Sequence, residues 1–380
     1  MTAVVRLRQW LQDSALPLWS TIGVDGERGF VERLTSEGVP DLAASKRLRV
    51  QARQIYVFSH AHVLGLAPNG LAVATLGHDF VMRHGFPDGV EKGAVHALAR
   101  EGAVRDAKRD TYDHAFLLFA FSWYYRASGR PEVRATIRRL GDAIWALLRH
   151  PGGAGFAIDD SGLDDLHQNP HMHLFEAVLA AYEATGDAVF LDRAHELFAL
   201  FRSRMFDPER GVLREFYDAR WQPVAGEAGQ IVEPGHHCEW IWLLKRYADC
   251  AGETLCDEAY QLNAFVERYG RPGGGILLCD EVWIDGRAKK LSTRSWPQTE
   301  AVKADIALAE ARGEPLGPRA DATVDALLDT FLDRWIAGAW IDWVDVGGTP
   351  LVQAIPASTL YHIFLASSEY LRARNALAPS

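Results

Sequence analysis

Six stretches of this chain carry polar side chains where an apolar helix would not need them. They are "QARQIYVFSHAH" (51–62), "YDHAFLLFAF" (112–121), "NPHMHLFEA" (169–177), "EPGHHCEW" (233–240), "SWPQTEAVKA" (295–304) and "PASTLYHIF" (356–364). Five of the six contain histidine, and four contain an acid. An imidazole with an ordinary pKa near 6.5 can take and return a proton at neutral pH. It can also bind a metal or simply fill a core. Arginine, as in "QAR", adds an always-charged fork for a developing oxyanion.

The spacing narrows these choices. His171 and His173 lie two residues apart, about 200° around a helix. They cannot both face one small ligand equally well, and zinc chelation by that pair with a carboxylate is disfavoured. No metal and no cofactor is expected. Glu176 stands one turn beyond His173 on the same side, and Glu239 one turn beyond His236, where it shares the helix face and can set the tautomer and orientation of His236. Trp296 and Glu300, four apart, share a third face. His362 is a lone polar residue in an apolar run, and Tyr112 and His114 open another. His237, His60 and His62 read as packing.

These stretches must be positioned by helices. Apolar residues recur with a helical period near 3–18, 43–66, 69–84, 112–128, 131–149, 169–185, 187–204, 234–251, 253–270, 295–311, 318–336 and 356–373. Glycines in "ASGRPE", "ATGDAV" and "CAGETL" separate neighbours by short links, which makes them antiparallel pairs. Between pairs lie turn-rich alternating stretches, at 95–110, 152–162, 210–224, 274–290 and 338–352, that read as β-hairpins or structured loops. The first helices of the later pairs start near 112, 170, 234, 296 and 356, a repeat of about sixty residues. Six pairs predict an all-α fold, an (α/α)6 barrel of about twelve helices with short hairpins at one end. The six polar stretches then open the six inner helices and converge on one aromatic-rich pit. One domain over 1–380 is expected, with a frayed tail at 375–380.

Composition agrees with a large core: 380 residues, 48% hydrophobic. Forty basic against fifty acidic residues give a net charge of −10, which offers no footprint for nucleic acid or an anionic membrane. Even "RLRVQAR" (47–53) alternates its arginines with apolar residues. No apolar run is long enough to span a bilayer, and the N-terminus lacks the continuous apolar core of a signal peptide. The four cysteines form no CxxC pair. A reduced, cytoplasmic protein, monomer or homodimer, is the expectation.

Taken together, "RVQARQIYVFS", "NPHMHLFEA", "EPGHHCEW", "RSWPQTEAVKA" and "LYHIF" resemble the N-acylglucosamine 2-epimerase superfamily, in order and at matching spacing from about residue 49 to 366. The resemblance implies an (α/α)6 barrel acting on a monosaccharide without metal. It implies His236 and His362 as the catalytic acid–base pair and Arg53 at the O1/O2 end of the sugar. His173, with His171, Glu239, Trp296, Glu300, His114 and Tyr112, would complete the substrate site. "EPGHHCEW" and "RSWPQTEA" resemble the mannose isomerase branch. The expected activity is therefore aldose–ketose isomerisation, D-mannose to D-fructose or a close pair, through an enediolate. A sugar 2-epimerase is the nearest alternative. An inverting glycosidase, which needs two spaced carboxylates, is more distant.

Overall fold

The computed structural model describes residues 1–161 and 165–377. The first helix runs through α1 (Ala3–Gln9), a π-helical turn (Trp10–Ala15) and α2 (Leu16–Thr21). Then follow α3 (Leu48–Val63), α4 (Gly70–His84), α5 (Thr111–Ser128), α6 (Pro131–Leu147), α7 (Gln168–Thr185), α8 (Ala188–Leu200), α9 (Pro234–Ala251), α10 (Asp257–Tyr269), α11 (Ser295–Arg312), α12 (Pro318–Thr330) and α13 (Leu360–Ala373). The expected helices are all present.

From α3 on, the odd-numbered helices are buried nearly all round. Each packs on the next, and α13 packs on α3, which closes an inner ring of six. The even-numbered helices, with α1, lie outside and bury one stripe each. The contrast shows in α6, which buries Val133, Ile137, Leu140 and Ile144 at helical spacing and exposes its arginines. Four inner helices, α5, α7, α9 and α11, end on a glycine in the left-handed region (Gly129, Gly186, Gly252 and Gly313), the first three as "ASGRPE", "ATGDAV" and "CAGETL" predict.

At the other end, strand pairs of two or three residues stitch the ring together. Arg33–Thr35 pairs with Ala354–Pro356, Lys46–Arg47 with Ala97–Leu98, and Leu166–His167 with Phe216–Tyr217. Ile231–Val232 pairs with Glu281–Trp283, and Thr293–Arg294 with Trp343–Val344. A single bridge joins Asp110 to Asp159. Each inner helix is thus launched from a segment paired to a neighbouring repeat.

This stitching explains where the expected boundaries moved. α3 starts at Leu48 rather than 43 because Lys46 and Arg47 are in a strand, with the Arg47 N–H donated to Glu32 at 3.1 Å. α12 ends at Thr330 rather than 336 because Leu332 bridges Trp340 and Asp333 and Trp335 take positive φ. The hairpins within 95–110 and 274–290 are present. In 210–224, Val212–Leu213 turns back on Phe206–Asp207 instead. In 338–352, Trp343–Val344 pairs with Thr293–Arg294 and closes only a single bridge, Val344 to Pro350, within the stretch. In 152–161 isolated bridges replace a hairpin. Gly162 and residues 378–380 of the expected frayed tail lie outside the described residues. Among the described residues no helix is long and apolar enough to cross a membrane.

Candidate active site

The repeat fixes which side chains meet. Counting from the residues that cap α3, α5, α7, α9 and α11 (Arg47, Asp110, His167, Glu233 and Arg294) and from Pro356, which caps the 3-10 turn Ala357–Thr359 leading into α13, the sixth residue onward is Arg53, Phe116, His173, Glu239, Glu300 and His362. One position per helix therefore builds a single layer across the barrel axis, just inside the N-terminal ends. Above that layer opens a cleft of ≈ 440 Å³. Arg53, Tyr112, His173, His236, Glu239, Trp296 and His362 all line it, so seven of the ten side chains singled out from the sequence share one space.

The other three lie elsewhere, and two of them are corrections. His114 and His171 are buried clamps. Each donates Nδ1–H to the carbonyl four residues back, Asp110 and His167, at 2.7 Å. Each accepts at Nε2 a backbone N–H from the preceding loop, Ala94 and Phe156, at 2.8 Å. The same place, four residues past the cap, is held by Gln51, His237 and Gln298, whose side chains also bond the preceding loop. Polar residues at this position satisfy buried backbone groups; they do not reach the cleft. Glu300 sits beneath the cleft rather than in its wall and accepts His362 Nδ1–H at 2.9 Å.

All three cleft imidazoles follow one pattern: Nδ1 faces a buried carboxylate and Nε2 is left for the cleft. His173 bonds Glu176 at 3.0 Å, His236 bonds Glu215 at 2.9 Å, and His362 bonds Glu300. The partner of His236 is a further correction. Glu239, one turn away, does not hold it. Glu215, twenty-one residues upstream in a loop, does so, with Glu233 at 3.8 Å. Glu239 instead approaches His173 Nε2 at 3.9 Å.

Their environments drive the imidazoles apart. Burial alone would discharge His236, but Glu215 and Glu233 outweigh it and hold the ring up to about 10, so it is a cation at neutral pH. Burial, reinforced by the charges of Arg53 and Lys303, pushes His362 well below its ordinary value, so it is neutral. Burial takes His173 down to about 4 against the pull of Glu176. Burial, aided by the charge of Glu300, pushes Glu239 well above the carboxylate range, so it carries a proton. Such divergence within one cleft separates acid from base.

Arg53 reaches in from α3, with Nη2 donating to Tyr112 Oη at 2.7 Å and Nη1 to the Ser358 carbonyl at 3.3 Å. Its guanidinium lies 4.1 Å from the Phe116 ring centre. No carboxylate pairs with it among the described residues, so its charge is available to an anion. Trp296 stands between His236 and His362, 4.9 and 5.7 Å from them ring to ring. Gly235 makes room for it, since a Cβ there would meet the indole at 2.8 Å. Asn169, Glu233, Arg294, Asp342, Trp343 and Thr359 complete the wall.

Side chains of metal-ligating type do gather here, His173 with Glu176 and Glu239, and His236 with Glu215 and Glu233. In each of these two groups the imidazole is already committed through Nδ1 to a carboxylate; both Glu239 oxygens are buried without a hydrogen-bond partner, and the burial that favours a proton on that carboxyl works against an anionic ligand there.

A closed ring of helix pairs with charged and neutral imidazoles, a free guanidinium and an aromatic wall in one cleft defines a class: α/α-barrel proteins that move protons on a polar small molecule. The chain belongs to the N-acylglucosamine 2-epimerase (GlcNAc 2-epimerase) family, whose model matches residues 29–366. It is 37% identical over 375 residues, 96% of this chain and 95% of the other, to a mannose-6-phosphate isomerase of Rhizobium meliloti. It is 26% identical to a cellobiose 2-epimerase of Ruminococcus albus, covering 91% of this chain and 92% of that one. The crystal structure of a D-mannose isomerase superposes with a TM-score of 0.83 over 96% of this chain and 97% of that one, at 21% identity. The resemblance drawn from the motifs is thus shown, and the protein is an enzyme of the isomerase class.

Proposed function

We propose that the enzyme interconverts D-mannose and D-fructose, or a close aldose–ketose pair, by proton transfer between His362 and the sugar. The observation that carries this reading is the placement of His236 and His362 on one cleft, each held through Nδ1 by a buried carboxylate with Nε2 left toward the open space. Neutral His362, its Nδ1–H held by Glu300, takes the C2 hydrogen of the open-chain aldose as a proton at Nε2. Cationic His236 gives its Nε2 proton to O1 as negative charge develops there, and Arg53 stabilises the oxygens of the enediol(ate). In the second half His362 returns its proton to C1, and the O2 proton passes to His236. The aldehyde carbon has become CH₂OH, C2 has become the ketone, and both histidines are restored. Glu300 behind His362 orients the ring and stabilises its transient charge, as a carboxylate does in a hydrolase triad.

Cytoplasmic location, metal independence and a single domain over 1–380 belong to the same reading. The unbroken inner ring supports one domain. The two cations already aimed into the cleft, Arg53 and His236, support enediolate stabilisation without an ion.

A 2-epimerase would use the same first step and reprotonate C2 from the opposite face. His173, neutral and across the cleft from His362 (6.5 Å ring to ring), is the group that could do so. Product identification separates the two. Incubation with mannose, followed by NMR, is expected to give fructose. Glucose without fructose would establish the epimerase, and no turnover of any sugar in a panel would defeat both.

A further inference from the structure

We propose that Lys303 is a positioning residue for the proton transfer: its buried ammonium keeps Glu300 ionised, and ionised Glu300 holds His362 in the tautomer that leaves Nε2 bare toward the sugar. The inference rests on reading His362 as the base.

Lys303 lies on α11 one turn below Glu300 and is 0% exposed. Its Nζ is 2.6 Å from Glu300 Oε2 and 4.3 Å from the centre of the Trp242 ring. It does not line the cleft. A fully buried lysine is rare unless something requires its charge. Here the requirement is visible. Three buried carboxyls lie close to it, Glu239 on α9 at the floor of the cleft and Glu176 on α7 and Glu300 on α11 beneath it, and each of them, when ionised, favours the Lys303 cation, Glu300 most. The other groups facing this cluster are His173 on α7, His236 and Cys238 on α9, Tyr361 and His362 on α13, and Arg53 and Tyr56 on α3. On the outer side α12 meets α11 through Arg319 on Asp305.

Glu176 is already served by Tyr361 Oη at 2.5 Å and by His173. Glu239 carries its own proton. Glu300 has only His362, a 3.4 Å contact from Thr299 Oγ1, and Lys303. Burial raises the Glu300 carboxyl, and Lys303 is the largest influence opposing it. Without the ammonium Glu300 takes a proton. It then donates to His362 Nδ1, the imidazole hydrogen moves to Nε2, and the base is lost although every cleft side chain is still in place.

The test is the pH dependence of sugar turnover in Lys303→Met. The active form requires ionised Glu300, so activity exists above the Glu300 pKa, and raising that pKa moves the acid limb upward. The expected result is a fall in kcat of about 10²-fold at pH 7, an acid limb moved up by at least one pH unit, recovery at high pH, and KM within a few-fold of wild type. A uniform loss with the limb unmoved would overturn the proposal. Should Lys303→Met not fold, Glu300→Gln is compared with Glu300→Gln/Lys303→Met, which removes both buried charges together. The proposal requires the second substitution to change activity by less than about threefold, and a larger further loss refutes it. If the wild type turns over no sugar, the functional reading fails and this one is still decided by ¹⁵N NMR of His362 at pH 7. Hydrogen on Nδ1 in wild type and on Nε2 in Lys303→Met supports it; the same tautomer in both overturns it.

Discussion

Replacing Glu215 by glutamine isolates the charge that distinguishes the two imidazoles proposed to exchange protons with the sugar. Glu215 Oε2 accepts from His236 Nδ1 and from Gln168 Nε2, each at 2.9 Å, and Oε1 accepts the Glu233 N–H at 3.2 Å. Glutamine preserves the shape and removes the charge. Held at about 10, His236 is neutral in only about one molecule in a thousand at pH 7. Two other imidazoles of this barrel, His173 and His237, show what burial does unopposed by such a pair, each lying at about 4. With Glu233 alone remaining at 3.8 Å, His236 should fall between these limits. The protonated fraction at pH 7 then drops by roughly 4-fold if it returns to the ordinary 6.5, and by about 10³-fold if it reaches 4. We expect a loss in kcat/KM near 10²-fold at pH 7, measured as ketose formation from mannose. A raised pKa means that the functional form exists below it and is lost as pH rises through it. The alkaline limb should therefore move from near pH 10 in the wild type to neutral pH or below in Glu215→Gln, with activity recovering toward pH 5. Stability follows the same sign. In the wild type the His236 contribution is complete below about 6.5 and is lost toward pH 10, so the alkaline decline of Tm should weaken in the variant. An alkaline limb that stays in place would show that His236 is not the acid, or that Glu215 does not charge it.

Four further outcomes are expected. His114→Ala or His171→Ala should cost about 1–3 kcal/mol in thermal or urea unfolding, because each orphans a buried backbone N–H, while kcat stays within about threefold; a specific loss of kcat would restore these residues to the site. Arg53→Lys should lower kcat/KM by about 10–10²-fold, since an ammonium cannot hold Tyr112, Ser358 and two sugar oxygens as the guanidinium fork does, and near-wild-type activity would remove Arg53 from enediolate stabilisation. Gly235→Ala should displace Trp296 and raise KM with little change in unfolding, and an unchanged KM would mean that the indole does not contact the sugar. Dialysis against a chelator should leave activity unchanged, and loss restored by one added divalent ion would refute the metal-free reading.

How much of this was legible in the residues follows from the repeat. Apolar periodicity and the glycines between helices sufficed for twelve helices and a closed ring, because inner helices bury every face and outer helices only one. The site was legible where its motifs opened those helices. It blurred where two polar residues shared one opening turn. His171 and His173 differ only in phase, and assigning the phase needs the cap residue, which is set by strand pairs too short to read from sequence. Once the cap is known, the fourth position is a clamp and the sixth belongs to the layer at the floor of the cleft, and His114 and His171 sort themselves. Glu215 escaped because "LREFYD" gives no sign that its acid is buried, and its contact with His236 spans a loop. Lys303 escaped because a lysine in a helix ordinarily reads as a solvated face; the signal was that its helix is an inner one.

The central claim is that two imidazoles of opposite charge act on one sugar. The most direct measurement is mannose turnover by His236→Gln and His362→Gln, with sugar binding followed separately by calorimetry. Each variant is expected to lose at least about 10³-fold in kcat while still binding the sugar within an order of magnitude. If either variant keeps turnover within tenfold of the wild type, proton transfer does not run between these two residues and the account is contradicted.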